Sequence, residues 1–197
     1  MDSLYETYPC LLECKESIDD ACSLLINCYK NGGKVLLCGN GGSASDCDHI
    51  VGELMKGFLN SRHINDKRVD DDFNEKLQKG LPAISLVNGP AILSAYDNDC
   101  DPAYVYAQMV YGYAKENDVV IGISTSGNSE NVCNALRVAK QIGLRTIGLT
   151  GKEKSRMSEI CDVTIRVPEK ETYKVQELHL PVYHYICIKV EEFFFVR

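Results

Sequence analysis

Five short, nearly continuous apolar runs place the strongest constraint on the fold of this chain. In chain order they are KVLLCGN, LPAISLV, DVVIGIS, RTIGLTG and DVTIRVP. Unbroken apolar strands are typical of parallel sheets that helices cover on both faces. Helical patterns such as NSENVCNALRVAKQIG separate several of the runs, which predicts right-handed crossovers. We therefore expect an α/β fold, a three-layer αβα sandwich around a doubly wound, mainly parallel five-stranded sheet, with a helical N-terminus and C-terminus.

Length and charge narrow the class of protein. A chain of 197 residues is long enough to bury a substantial core, so we expect residues 1–197 to form a single domain. The formal net charge of −7 disfavours a nucleic-acid partner, which would need clustered Lys and Arg. The N-terminus lacks a basic region, and no apolar run approaches the roughly 18 residues of a membrane span. We expect a cytoplasmic protein with no membrane partner.

The cysteines and the C-terminal end each suggest how apolar surface is used. The ten cysteines include no CxxC pair, so reduced cysteines that serve as small core residues are a better interpretation than a disulfide or metal framework. The chain ends in EEFFFVR, whose apolar bulk a monomer would have difficulty covering. This end favours an oligomer.

Residues 57–80, GFLNSRHINDKRVDDDFNEKLQKG, form the one segment whose composition departs from the rest. The segment is charged and poor in apolar residues, which predicts a surface excursion. Two interpretations remain open: a solvated connector, which is the usual role of a charged run, and a lid that closes over a ligand.

A polar turn, STSGNS at residues 124–129, follows the third apolar run and precedes a helical pattern. The first turn of a helix offers unpaired N–H groups and the positive end of the helix dipole, and hydroxyls add further hydrogen bonds. These features predict a phosphate site that needs no Lys or Arg. The alternative is an ordinary turn in which Ser129 only caps the helix.

A second turn of the same chemical kind, GNGGSA, follows the first apolar run. Ligands of open α/β sheets bind outside the carboxyl ends of the strands, so we expect the two turns to face one crevice. GNGGSA has neither the GK[ST] of a Walker A loop nor the G-x-G-x-x-G spacing of dinucleotide-binding proteins. A small phosphorylated metabolite is therefore a better candidate ligand than a nucleotide.

Two pairs of polar residues at helical spacing could add chemistry to this crevice. His49 and Glu53 are separated by four residues and share one face of the helix that follows the glycine turn. Gln176 and His184 lie about two turns, or roughly 12 Å, apart on the last helix. Pro181 falls between them and could bend the helix so that both groups aim at one point. Each histidine alone is typical of a structural residue. The four residues together are harder to explain in that way, but sequence spacing alone cannot bring two distant helices together to share a metal.

Five segments of the chain together resemble the sugar isomerase (SIS) superfamily, and specifically the phosphoheptose (sedoheptulose 7-phosphate) isomerases. They are GGKVLLCGNGGSASDCDHIVGEL, NDCDPAYVYAQMV, DVVIGISTSGNSENV, TIGLTGK and IRVPEKETYKVQELHLPVYH. The segments span nearly the whole chain in order. The most specific motifs are the His-x-x-x-Glu after GNGGS and the Gln with a His eight residues later. The long excursion at residues 57–80 and the proline at position 181 depart from the family pattern.

The resemblance implies the SIS fold and a cytoplasmic homotetramer with one Zn²⁺ per subunit. It implies conversion of D-sedoheptulose 7-phosphate into D-glycero-D-manno-heptose 7-phosphate in bacterial heptose nucleotide synthesis. By position, the family's sugar contacts fall on Asn40, Gly41, Gly42, Asn98, Asp99 and Gln176. Its phosphate contacts fall on Ser124, Thr125, Ser126 and Ser129. Its zinc ligands fall on His49, Glu53, Gln176 and His184, of which Glu53 and His184 are also the proton-transfer pair.

These residue types suit an aldose–ketose isomerisation, which removes a carbon-bound proton and forms an enediolate. A carboxylate can take the proton, a histidine can exchange one with the oxygen, and Zn²⁺ can hold the negative charge. Because Glu53 cannot easily be a tight ligand and a free base at once, we expect its roles to alternate or its metal contact to be weak.

Two alternative functions remain open at the level of sequence. One is an isomerase of another phosphosugar, such as arabinose 5-phosphate. The other is a non-catalytic SIS module that binds a sugar phosphate and has an assembly or regulatory role. A module of that kind has no need of Glu53 and His184, so their joint presence favours an enzyme.

Overall fold

The computed structural model describes residues 3–195, which form a sheet of five parallel strands. The strands are β1 (Val35–Gly39), β2 (Ala83–Ser85), β3 (Val119–Ile123), β4 (Arg145–Thr150) and β5 (Val163–Arg166). Their order in space is β2-β1-β3-β4-β5. Because β2 and β3 lie on opposite sides of β1, the chain winds outwards in both directions from the first strand. The sheet is therefore doubly wound, and the crevice expected at such a reversal lies between β1 and β3.

Helices connect the strands and extend the chain at both ends. They are α1 (Ser3–Thr7), α2 (Lys15–Lys30), α3 (Gly42–Met55), α4 (Asp71–Lys76), α5 (Pro90–Asp99), α6 (Val105–Tyr113), α7 (Glu130–Gln141), α8 (Arg156–Ile160) and α9 (Thr172–Phe195). Two short 3₁₀ helices span Pro9–Cys14 and Pro102–Tyr104.

The sheet separates two hydrophobic cores. Leu37 and Ile121 point into the core beneath α2, α3 and α9, whereas their neighbours Leu36 and Val120 point into the core beneath α6 and α7. Every residue of β1 and β3 is buried, as unbroken apolar strands require. The predicted three-layer αβα sandwich is confirmed, and all of its strand pairs are parallel.

Most of the cysteines and part of the apolar C-terminal end are buried in the structure. All ten cysteines fall within the described residues, none is in a disulfide, and seven are buried, which agrees with their interpretation as core residues. In residues 3–195 no helix is long and apolar enough to span a bilayer. Near the C-terminal end, Phe194 and Phe195 pack against the core, while Phe193 is 49% exposed. The last two residues of EEFFFVR, Val196 and Arg197, lie outside the described residues.

The charged excursion at residues 57–80 is fixed to the body of the protein near its start. The buried carboxylate of Glu191 accepts hydrogen bonds from the backbone N–H groups of Phe58 (2.7 Å), Leu59 (2.8 Å) and Asn60 (3.1 Å). It also pairs with the guanidinium of Arg62 at 2.8 Å, and neither of the two charged side chains has exposed surface. These contacts favour the connector interpretation for this part of the excursion.

Arg62 extends the same anchor to helix α3. Its guanidinium donates to the carbonyl oxygens of Leu54 (2.6 Å) and Glu53 (3.1 Å), which have no N–H partner within α3 because they lie in its last turn. Burial by itself raises the pKa of a carboxyl. At Glu191 the N–H donors of the loop and the Arg62 guanidinium outweigh burial and hold its pKa below the ordinary value.

Replacing Glu191 should destabilise the fold strongly. Glu191→Leu leaves the Arg62 guanidinium buried without its counter-ion, which typically costs about 3–5 kcal/mol in the free energy of unfolding. The neighbouring variant Glu192→Leu breaks only an exposed pair with Lys189 (3.3 Å), so it should cost about 0–1 kcal/mol. Urea unfolding of both variants measures the difference, and equal losses would contradict the anchor.

The pH dependence of that stability has a defined sign. Because folding lowers the pKa of Glu191, its contribution is complete above the ordinary glutamate pKa of about 4.3 and is lost as the pH falls below it.

Candidate active site

The glycine turn after β1 brings the backbone close to the last helix. Gly41 occupies the N-cap of α3, and Gly42 begins the helix. A Cβ atom at Gly42 would collide with the side-chain amide of Gln176 on α9, so the start of α3 and this amide are in close contact. The glycine turn therefore lies directly beside Gln176.

Three hydroxyls converge on the turn after β3. The hydroxyl oxygen of Ser124 lies 2.9 Å from that of Ser129 and 3.4 Å from that of Ser126. Ser129 occupies the N-cap of α7, but its side chain makes no capping hydrogen bond. The alternative in which Ser129 only caps the helix therefore does not describe its hydroxyl, which is directed into the turn.

The two turns lie side by side, as expected from neighbouring parallel strands. Gly39 at the end of β1 pairs with Ile123 at the end of β3. Beyond the strands, the amide of Asn40 donates to Asn131 Oδ1 (2.9 Å), and the amide of Asn131 donates back to Asn40 Oδ1 (3.0 Å). The Tyr106 hydroxyl supports this pair by donating to the Gly39 carbonyl (2.8 Å).

His49 is the centre of a cluster that joins α3 to α9. Its Nε2 atom lies 3.3 Å from Oε1 of Glu53 on the next turn of α3. The same Nε2 atom lies 3.3 Å from Nε2 of His184 on α9. Burial lowers the pKa of His184, and the neighbouring His49 lowers it further, so its imidazole favours the neutral form. Lys56 approaches the other oxygen of the Glu53 carboxylate at 3.3 Å.

A polar chain behind this cluster orients the His49 ring. The Tyr183 hydroxyl lies 3.0 Å from His49 Nδ1 and 3.4 Å from Asp46 Oδ1. Gln176 donates to the other oxygen of Asp46 at 3.4 Å. Burial raises the pKa of Asp46, against the hydrogen bonds from Gln176 and Tyr183 that lower it. Burial also raises the pKa of Tyr183, with Asp46 adding to the shift, so Tyr183 keeps its proton.

The remaining predicted site residues occupy the same edge of the sheet or the end of a neighbouring helix. Thr125 belongs to the serine turn, and its carbonyl accepts the N–H of Gly151 (3.1 Å). Asn98 and Asp99 end α5, where the Asn98 amide donates to the Asp99 carboxylate (2.7 Å). Both are exposed, and no contact recorded for the described residues ties them to the His49 cluster.

Sequence reasoning did not find four residues that support the site, namely Asp46, Tyr106, Asn131 and Tyr183. Asn131 lies in the first turn and Asp46 in the second turn of the helices that follow the two polar turns, which was a usable signal. No local pattern identified the two tyrosines, whose partners are far away in sequence.

The arrangement pairs a carboxylate and an imidazole with a neighbouring turn lined by hydroxyls. Within residues 3–195, no group of three or more His, Cys, Asp or Glu side chains is already arranged to hold a metal ion. The predicted ligand Gln176 contributes its amide to Asp46. A cavity of about 350 Å³ lies elsewhere, between α6 and α7, and contains none of the predicted site residues.

Comparisons with known proteins agree with this geometry. SIS-domain family models match residues 10–70 and 97–186. A phosphoheptose isomerase of Aliarcobacter butzleri is 40% identical over 173 residues, which are 88% of this chain and 83% of the relative. A phosphoheptose isomerase of Clostridium acetobutylicum is 41% identical over 90% of this chain and 82% of its own.

Solved structures give the same result. The phosphoheptose isomerase GmhA from Neisseria gonorrhoeae superposes with a TM-score of 0.77 at 30% identity, over 94% of this chain and 93% of its own. A phosphoheptose isomerase from Francisella tularensis superposes with a TM-score of 0.80 at 27% identity, over 97% and 96% of the two chains. Because the relatives are similar over most of both chains and share the fold, the chain belongs to the phosphoheptose isomerase family of SIS-domain enzymes.

Proposed function

We propose that this enzyme converts D-sedoheptulose 7-phosphate into D-glycero-D-manno-heptose 7-phosphate through an enediolate, in bacterial heptose nucleotide synthesis. The observation that carries the proposal is the meeting of Glu53 and His184 at one nitrogen of His49, beside a turn lined by hydroxyls. The names of the relatives add the substrate class. The described residues are proposed to belong to a single SIS domain that spans residues 1–197.

The carboxylate and the imidazole divide the proton transfers. Glu53 takes the carbon-bound proton from C1 of the ketose and returns it to C2 of the aldose. His184, whose neutral form is favoured by burial, exchanges the proton between the two oxygens of the enediolate. Glu53 thus acts on the carbon atoms of the substrate, and His184 acts on its oxygen atoms.

The two polar turns hold the substrate for these transfers. Ser124, Thr125, Ser126 and Ser129 bind the phosphate with hydroxyls and with N–H groups at the start of α7. The sugar hydroxyls are assigned to Asn40, Gly41, Gly42, Asn98, Asp99 and Gln176. The assignment of Asn98 and Asp99 requires the sugar to extend toward the end of α5, where both residues lie.

One Zn²⁺ per subunit is proposed at the centre of the cluster. Atoms at the corners of a zinc tetrahedron lie about 3.3 Å apart, given bonds of roughly 2.0–2.1 Å. His49 Nε2 lies 3.3 Å from both Glu53 Oε1 and His184 Nε2, so each of these two pairs has the spacing of two ligands of one zinc, and metal binding would have to draw the three donors into one set. Gln176 would complete the set by giving up its bond to Asp46. Bound zinc would hold the negative charge that develops on the enediolate oxygens.

The oligomer and the compartment are further parts of the proposal. In the single chain, Leu12, Leu59 and Tyr111 have exposed fractions of 56%, 65% and 68%. This exposed apolar surface supports a homotetramer whose subunits cover it. Cysteines that form no disulfide suit the reducing cytoplasm. Neither a nucleic acid nor a membrane is a proposed partner.

Removing the metal should abolish activity. Dialysis against dipicolinate should leave a folded protein without isomerase activity, and added Zn²⁺ should restore it, because the negative charge on the enediolate loses its stabilisation. Turnover of sedoheptulose 7-phosphate and total zinc by elemental analysis are measured on the same sample. Full activity at zero metal content would eliminate zinc from the proposal but would leave the isomerase intact.

Removing one hydroxyl from the serine turn should weaken phosphate binding. Ser124→Ala or Ser126→Ala should cost about 1–3 kcal/mol in substrate binding, since hydrogen bonds to a charged group are the stronger kind. The measurement is KM. Ser94→Ala is the matched control, because that hydroxyl only bonds a carbonyl of its own helix. An unchanged KM in both turn variants would place the phosphate elsewhere.

Neutralising Glu53 should stop the proton transfer at carbon. Glu53→Gln keeps the size of the side chain but removes the base, so turnover should fall about 10²–10⁴-fold. Sugar-phosphate binding should persist, because the polar turns are untouched. The measurement is substrate-dependent exchange of the carbon-bound proton with D₂O, followed by NMR. Exchange at the wild-type rate would assign the base to another residue.

The same assay distinguishes the alternative functions. Wild-type exchange with arabinose 5-phosphate but not with sedoheptulose 7-phosphate would identify another phosphosugar isomerase. Binding of a sugar phosphate without exchange in any ketose phosphate would identify a non-catalytic module.

A further inference from the structure

The imidazole of His179 is a buried polar group that the proposed reaction does not use. It lies on α9 between Gln176 and His184, with no exposed surface. Neither ring nitrogen completes a hydrogen bond of good geometry with a protein atom, and the buried hydroxyl of Thr150 is in the same position. Fully buried polar groups are almost always paired with protein or with an internal water. This pair of residues therefore calls for a structural explanation.

The position of Thr150 supplies that explanation, because it lies directly beneath the serine turn. Gly127 at the apex of the turn has a φ of +65°, and a Cβ atom there would stand 2.6 Å from Thr150 Oγ1 and would collide with the Ser155 hydroxyl. The turn is further held by Gly151, whose N–H donates to the Thr125 carbonyl (3.1 Å). Thr150 and Gly151 thus contact the serine turn at Gly127 and Thr125, and we call these two residues the floor of the turn.

His179 connects this floor to the helix that carries the proton-transfer histidine. The backbone of Thr150 approaches the His179 ring as a hydrogen-bond partner, which opposes part of the effect of burial on the ring. Burial still lowers the pKa of His179 to about 4, so the ring is neutral at physiological pH. A neutral ring offers one donor and one acceptor. The ring can therefore donate a hydrogen bond to the backbone carbonyl of Thr150 with one nitrogen and accept one from an internal water with the other.

We propose that His179 is a positioning residue that fixes the phosphate-binding turn relative to α9, acting through Thr150 and Gly127. The inference rests on the proposed function, because it assigns the serine turn to the phosphate of the substrate. Its consequence is that loss of the ring nitrogens weakens phosphate binding, although His179 itself touches no substrate atom.

The test compares an apolar replacement with polar ones. His179→Phe fills the volume but removes both nitrogens, so the inhibition constant of inorganic phosphate and the KM for the phosphosugar should rise about tenfold. Because the turn supplies binding more than chemistry, kcat should change much less than KM. Of His179→Asn and His179→Gln, at least one should restore phosphate affinity by placing an amide where a ring nitrogen stood.

The matched control is Val190→Ala, a fully buried residue of the same helix that lies in the other direction from the turn. It should lower the melting temperature without changing the inhibition constant of phosphate. If it raised that constant as much as His179→Phe does, the effect would be one of stability and the proposal would be overturned.

Two further measurements keep the outcome decisive. If His179→Phe does not fold, His179→Met removes both ring nitrogens with a more flexible apolar side chain, and unchanged phosphate affinity in that variant would overturn the proposal. Phosphate binding is also read by the thermal shift it produces, which requires no turnover. A wild type that turns over no ketose phosphate would therefore remove the proposed function while the test of His179 still gives its answer.

Discussion

Glu191 and Arg62 form an ion pair without exposed side-chain surface, at the place where the end of α3 meets α9. Two buried charges are costly unless all of their hydrogen bonds are completed. Here Arg62 takes the final carbonyls of α3, including that of Glu53, while Glu191 takes three N–H groups of the loop that follows. The pair thus holds α3, the loop and α9 together. It lies close to the site, because Arg62 bonds the backbone carbonyl of Glu53 and Glu191 lies about two helical turns from His184 on α9.

The remainder of the site depends on the parallel sheet. Because β1 and β3 pair in register up to Gly39 and Ile123, the turns that follow them leave the sheet at the same level. The β1 turn leads into the helix that carries His49 and Glu53, and the β3 turn supplies the hydroxyls. The proposed proton transfer and the proposed anion binding therefore belong to turns that follow different strands, and the Asn40–Asn131 amide pair joins the two turns.

Electrostatics explains how a chain of net charge −7 could present the proposed site for an anion. The serine turn contains no cationic side chain and relies on hydroxyls and N–H groups, whose dipoles act locally. The acidic side chains nearby are restrained by neighbours, since Gln176 and Tyr183 donate to Asp46, and His49 and Lys56 approach Glu53.

The sequence by itself determined the features that depend on near neighbours: the five strands, the polar turns and the shared helical face of His49 and Glu53. Only the tertiary structure decided which distant groups meet, since His184 reaches His49 across 135 positions. The excursion illustrates the limit. Its charge predicted a surface segment, yet Arg62 within it is buried, because the carboxylate that makes its burial tolerable lies 129 residues away. Local periodicity records which side of an element is apolar, but a buried charge is decided by a partner that folding alone brings into contact.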